Sequence, residues 1–105
     1  MAVTYVVYIE PDVHAARKIL PGNIRQRVGR IIHTLATEPR PEASRSLETP
    51  NITLPEHVEI RRYRVDHWRV VYAVNDAEHW VWVLGIYRRP PYDYTNIANL
   101  IERLP

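Results

Sequence analysis

Hydrophobic and polar positions follow two different periods along the chain, and these predict strands in some segments and helices in others. Residues 3–9, VTYVVYI, are rich in β-branched and aromatic side chains and predict a first strand. Residues 11–20 begin with proline and carry apolar residues on one helical face, so they predict a first helix that Pro21 and Gly22 end. The chain therefore opens with a strand followed by a helix.

A second helix is predicted to begin with Asn23 as its cap and to end at residues 38–41, EPRP. Its apolar residues keep helical spacing, at Ile24, Val28, Ile31, Ile32 and Leu35. Residues 39–55 hold several prolines and no sustained period, so they predict a loop.

Three strand-like runs follow in short succession, at residues 57–65, 67–75 and 79–87, and predict an antiparallel meander. A short last helix is predicted after residue 94, with an apolar stripe from Ile97 to Leu104. The fold class is α+β, in the order β-α-α-β-β-β-α. We expect a mainly antiparallel four-stranded sheet with the two N-terminal helices on one face and the other face open.

Composition limits the possibilities further. The chain has 105 residues, which suits one domain over 1–105, and it has no cysteine, so disulfides and thiolate metal sites are excluded. The N-terminal apolar run is too short for a membrane span and lacks the features of a signal peptide, so we expect a cytoplasmic protein that does not contact membranes. The histidines have no short metal-binding spacing, and neither a metal nor a cofactor is expected.

The most unusual stretch is residues 60–69, IRRYRVDHWR, because it packs cations and aromatic rings into ten positions. Arginine has a planar fork that matches phosphate oxygens and stacks on bases. Alternation places Arg62 and Arg64 on one strand face, with Arg69 able to stand beside them across the hairpin. The net charge is only +2, so attraction to a polyanion must come from this local cluster.

Over nearly its whole length the chain resembles the RelE/ParE superfamily of bacterial toxins from toxin–antitoxin pairs. The resemblance rests on the element order, on IRQRVGRIIHTLATEPRP, on YRVDHWRVVYAVND and on VLGIYRRPPYDY. It implies a toxin of RelE type, which is a metal-independent endoribonuclease that cleaves messenger RNA on the ribosome. The implied reaction is attack of a 2′-hydroxyl on the adjacent phosphorus.

The same resemblance implies a set of site residues. Arg69 is expected to be the main clamp on the scissile phosphate. Arg62 and Arg64 are expected to hold the backbone or to steady the transition state, and Arg88 to stabilise or protonate the leaving 5′-oxygen. Tyr92 or Tyr94 is expected to stack on a base or orient the nucleophile. Further contacts to RNA are expected from Arg61 and Arg89.

A general base is missing from the obvious place, because an arginine almost never releases a proton. His67 is the one histidine within the motif, and it is either a turn residue or the base. Two alternatives therefore stay open: a ParE-like toxin that binds DNA gyrase without cleaving RNA, and a degenerate toxin that only binds its antitoxin. The resemblance also implies a cognate antitoxin as partner, besides messenger RNA and the ribosome, and possible heterotetramers.

Overall fold

The computed structural model describes residues 3–48, 52–88 and 95–104. The helices have bounds α1 Pro11–Lys18, α2 Gly22–Thr34 and α3 Thr95–Glu102. The strands have bounds β1 Val6–Ile9, β2 Ser44–Ser46, β3 Val58–Val65, β4 Trp68–Asn75 and β5 Trp80–Arg88. No helix of these residues has the length and apolar character needed to span a membrane.

The described strands form one sheet of five strands in the order β1-β5-β4-β3-β2. β1 runs parallel to β5, and the other neighbours pair antiparallel. The predicted α+β class and mainly antiparallel sheet are confirmed. The predicted number of four strands is wrong, because Ser44–Ser46 adds an edge strand to β3 from within the segment expected to be a loop.

The local signals explain most helix boundaries. α1 begins with Pro11, and Arg17 and Lys18 lie in its last turn, where cations interact favourably with the helix dipole. α2 begins at Gly22 with Pro21 as its N-cap residue, so the prediction that Asn23 caps this helix is wrong.

Apolar side chains pack on both faces of the sheet. One cluster joins Val13 of α1 and Ile24, Val28 and Ile32 of α2 to the sheet, as the two-helix prediction requires. A second cluster lies on the opposite face, where Ile97, Leu100 and Ile101 of α3 pack on Val58, Ile60, Val71, Ala73 and Trp80. The prediction of an open second face is therefore wrong for the part that α3 covers.

Candidate nucleic-acid interface

In the described part of the chain, arginines from three neighbouring strands share the face of the sheet on which α3 packs. Because side chains alternate along a strand, Arg62 and Arg64 lie on the same face of β3 as the apolar residues Val58 and Ile60. The register pairs Arg64 with Arg69 of β4 and Arg62 with Arg45 of β2. We call Arg45, Arg62, Arg64 and Arg69 the arginine cluster.

The arginine cluster encloses a surface pocket of about 220 Å³ whose other described lining residue is Ala43. Arg45 donates from Nη1 to the carbonyl oxygens of Glu42 (2.7 Å) and Ser44 (2.8 Å). Among the described residues, Arg62 and Arg64 have neither a hydrogen-bond acceptor nor a carboxylate for their side chains. Like charges opposite each other destabilise a sheet, so an anion between these side chains would relieve their repulsion.

Arg69 differs from the other members because it is buried, with only 9% of its surface exposed. Its Nη1 donates to the carbonyl oxygens of Asp66 (3.0 Å), in the β3–β4 turn, and of Trp68 (2.9 Å), at the start of β4. Asp66 has a positive φ of 52°, and Arg27 of α2 donates to its carboxylate at 3.0 Å. Arg69 thus stands beside Arg64 near a strand end, as expected, but it is buried, and it both lines the pocket and holds the turn.

A bulge between β4 and β5 decides which residues of β5 face the arginine cluster. The register changes from Tyr72↔Val83 to Val71↔Gly85, which leaves Leu84 as an extra residue. The shift places Tyr87 opposite Arg69 on the cluster face. A Cβ on Gly85 would lie 2.6 Å from the Tyr87 ring, so glycine lets the ring lie over the backbone.

The same bulge turns Arg88 to the opposite face, opposite Trp68. There Arg88 and His67 line a cavity of about 360 Å³ together with Pro21, Asn23 and Ile24 at the start of α2. The structure therefore does not bring Arg88 and His67 into the pocket of the arginine cluster. Both residues lie at the end of the sheet where Arg64 and Arg69 also lie.

Arg61 alternates away from the cluster and is engaged elsewhere. Its Nη2 and Nε donate to Ser44 Oγ (2.8 and 3.2 Å), and its Nη1 lies 3.3 Å from a Glu59 oxygen. Only 13% of its side chain is exposed. Arg61 thus attaches β2 to β3, and the predicted RNA contact remains a prediction. The predicted positions Arg89, Tyr92 and Tyr94 lie outside the described residues.

Sequence reasoning missed Arg45 because the segment around it looked like a loop. Three residues are too short to show a strand period, and several prolines stand nearby. The backbone of this segment is fixed by long-range bonds, including Tyr72 OH donating to the Pro39 carbonyl at 2.8 Å. A sequence signal for this arrangement is absent, since both partners of that bond are distant in the chain.

A polar network at the opposite end of the sheet holds the start of the same segment. Arg40 donates from both Nη atoms to Asp76 (3.0 and 2.8 Å) and from Nε to Glu59 (3.0 Å), and Tyr5 OH donates to Asp76 at 2.7 Å. The hydrogen bond from Arg40, followed by that from Tyr5, lowers the pKa of the Asp76 carboxyl. The bond to Asp76 is also the main cause that raises the pKa of Tyr5. The network positions residues 40–44, and hence β2.

Within the described ranges, no group of three or more histidine and carboxylate side chains is placed to hold a metal ion. The pocket of the arginine cluster has no described carboxylate in its lining. Guanidinium groups in general bind phosphate oxygens through charge-assisted hydrogen bonds.

Comparison with known proteins places the fold. The sequence matches no protein-family model and no curated protein. A chain of the archaeal RelE–RelB complex from Pyrococcus horikoshii OT3 is similar at 26% identity and a TM-score of 0.70, over 85% of this chain and 99% of that one. A chain of the Mycobacterium tuberculosis RelBE2 toxin–antitoxin complex is 20% identical, with a TM-score of 0.64 over 83% of this chain and 100% of that one.

A mutant of the E. coli toxin RelE in its free state is 17% identical, with a TM-score of 0.63 over 96% of this chain and 99% of that one. Almost the full length of each of these chains is therefore matched. The resemblance seen in the sequence is confirmed, and the chain has the fold of the RelE toxins.

Proposed function

We propose that this chain is the toxin of a toxin–antitoxin pair and that it is a metal-independent endoribonuclease acting on messenger RNA in the cytoplasm, on the ribosome. The observation that carries the proposal is the arginine cluster, in which Arg62 and Arg64 have no acidic partner among the described residues. The RelE fold supports it, since the similar chains come from structures named as toxins or toxin–antitoxin complexes.

The proposed reaction forms a bond between a ribose 2′-oxygen and the adjacent phosphorus and breaks the bond from phosphorus to the 5′-oxygen. The products are a 2′,3′-cyclic phosphate and a 5′-hydroxyl. The 2′-hydroxyl proton leaves to a base or to water, and a proton is gained by the 5′-oxygen. Negative charge builds on the phosphoryl oxygens in the transition state, where fixed guanidinium groups stabilise it.

In this proposal Arg69 and Arg64 bind the scissile phosphate, because their guanidinium groups start from paired positions on one face. Arg62 holds the neighbouring backbone. Arg69 needs little reorganisation, since its bonds to the turn already fix one end of its guanidinium.

Arg88 and His67 are proposed to act from the end of the sheet, where RNA that passes around this edge would reach their cavity. For Arg88 to stabilise the leaving 5′-oxygen and for His67 to exchange the proton, both side chains would have to reach around the end of the sheet, because the cavity that they line lies on the face opposite the arginine cluster. Tyr92 or Tyr94 is proposed to stack on a base or to orient the nucleophile, and Arg61 and Arg89 to add contacts to RNA.

One observation favours a second candidate function. The described residues that line the pocket of the arginine cluster include neither a histidine nor a carboxylate that could take the 2′-hydroxyl proton. A ParE-like toxin that binds DNA gyrase needs no such base, and a degenerate toxin that only binds an antitoxin needs none either. The arginine cluster argues against the gyrase-binding alternative, because binding gyrase does not require a phosphate clamp.

We further propose that a cognate antitoxin with acidic segments neutralises the chain, in complexes that include heterotetramers. The same exposed cations that suit phosphate would attract carboxylates. Purification from the native operon tests this proposal. Recovery of the chain without any partner, together with harmless expression alone, would count against the toxin assignment.

Induced expression without the antitoxin distinguishes a ribonuclease from a toxin that binds gyrase. Primer extension on cellular messages and the supercoiling of a reporter plasmid are measured in the same cultures. The proposal predicts new 5′ ends within coding sequences and unchanged supercoiling. Intact messages with relaxed plasmid would support the gyrase-binding alternative instead.

A further inference from the structure

The arginine cluster contains two cross-strand pairs, and these are offset along β3. Arg45 of β2 pairs with Arg62, and Arg69 of β4 pairs with Arg64. Arg62 and Arg64 are two residues apart on one face of β3, so the pairs are displaced by about 7 Å along the strand. Neighbouring strands lie about 4.8 Å apart, so each pair can close on one small anion from two sides.

We infer that the cluster binds two consecutive backbone phosphates of one single strand, with Arg45 and Arg62 holding the phosphate next to the scissile one. This inference rests on the proposed function, because it assigns the scissile phosphate to Arg64 and Arg69. The displacement between the pairs is comparable to the separation of consecutive phosphates in an extended strand. Because one pair lies between β2 and β3 and the other between β3 and β4, the bound strand crosses β3 obliquely.

Arg45 is held ready for this contact. Its Nη1 donates to the carbonyl oxygens of Glu42 and Ser44, which fixes the direction of the guanidinium. Its Nε and Nη2 have no described acceptor. A side chain that is already oriented loses less conformational entropy when a ligand binds.

The position of Arg45 makes it a binding residue remote from the bond that breaks. Arg45 belongs to the edge strand β2, and the register of β3 places Arg62 between it and β4. Its loss should therefore weaken binding of the strand and raise KM, whereas kcat with saturating RNA should change little.

The test uses 2′-deoxy ligands that cannot be cleaved, so that binding is measured whether or not the chain is a nuclease. A dinucleotide has one internucleotide phosphate and a trinucleotide has two. A second trinucleotide, in which one phosphate is replaced by a neutral methylphosphonate, controls for length. NMR titration gives the Kd of wild type, Arg45→Ala and Arg45→Lys, with Arg30→Ala as a control that removes one exposed cation from α2.

The inference predicts that Arg45→Ala weakens binding of the trinucleotide by about tenfold, the loss of one charge-assisted contact. Binding of the dinucleotide and of the methylphosphonate ligand should change by less than about twofold, and Arg45→Lys should recover part of the loss. Arg30→Ala should leave all ligands unchanged. Dispersed amide spectra confirm that each variant is folded.

The outcomes separate the inference from the proposed function. An equal effect of Arg45→Ala on all ligands, or no effect on any, would overturn the two-phosphate arrangement even if the wild type cleaves RNA. The predicted difference between ligands would support it even if the wild type proves inactive on messages. Failure of wild type to bind any of these ligands would overturn the inference.

Discussion

Arg64 and Arg69 lie directly opposite each other in the register of β3 and β4, yet they are held in different ways. Arg64 is exposed and has no partner among the described residues, whereas Arg69 is buried and donates to the carbonyl oxygens of Asp66 and Trp68. Hydrogen bonds therefore hold the Arg69 guanidinium in place, whereas no described contact holds that of Arg64. This difference separates the expected effects of their mutation.

Removing Arg69 should affect both stability and cleavage. Arg69→Ala leaves the carbonyl oxygens of Asp66 and Trp68 without their donor, so we expect a loss of about 1–3 kcal/mol in the free energy of unfolding. Loss of a transition-state contact should reduce single-turnover cleavage by about 10²–10³. Urea unfolding and cleavage rates below the unfolding transition measure the two effects, and a folded Arg69→Ala variant with full activity would exclude this residue from the mechanism.

Removing Arg62 or Arg64 should affect binding without affecting the fold. Neither side chain has a described partner, so Arg62→Ala and Arg64→Ala should change the free energy of unfolding by less than about 0.5 kcal/mol. A plot of the logarithm of the RNA association constant against the logarithm of salt concentration has a negative slope. Each change should reduce the magnitude of this slope by about 0.7 for single-stranded RNA. Fluorescence anisotropy over a salt series checks this, with Arg30→Ala as the control. Unaltered slopes would show that these arginines do not contact phosphates.

The Asp76 network predicts a pH dependence of stability. Because Arg40 and Tyr5 lower the pKa of Asp76 in the folded state, its contribution is present above the unfolded pKa of about 3.9 and is lost as the pH falls through the folded value. Asp76→Asn should therefore lower the free energy of unfolding by about 0.5–1 kcal/mol at pH 7 and should leave it almost unchanged near pH 2. Urea midpoints across this range test it. A cost of Asp76→Asn that stays constant across this pH range would contradict the network.

A substitution at Gly85 should disturb the cluster face through Tyr87. An added Cβ would lie 2.6 Å from the ring, so Gly85→Ala should displace Tyr87. Because the contact is with the outer end of a half-buried side chain, the loss in the free energy of unfolding should be only about 1 kcal/mol. The chemical shifts of the Tyr87 ring and of the Arg69 backbone should both change, because these residues are paired in the register. Gly22→Ala is the matched control, since a Cβ there meets nothing within 4 Å.

The period of two along β3 was enough to predict that Arg62 and Arg64 share one face and that Arg69 stands beside them. It could not predict the burial of Arg69, which depends on hydrogen bonds to the turn. The side of the sheet on which Arg88 lies depends on where the β4–β5 register shifts. The sequence does not show that position, because an extra residue within an apolar run does not change its pattern. Arg45 was missed because β2 exists through pairing with β3 and has no period of its own.

The most direct test of the central claim is single-turnover cleavage of ribosome-bound message, compared with the same message carrying a 2′-deoxy nucleotide on the 5′ side of the scissile phosphate. The account predicts that wild type cleaves the first and leaves a 2′,3′-cyclic phosphate, and that the 2′-deoxy message stays intact because its nucleophile is missing. Cleavage of both messages would contradict attack by the 2′-hydroxyl. Cleavage of neither, with inhibition of gyrase supercoiling by the same preparation, would contradict the assignment as a ribonuclease.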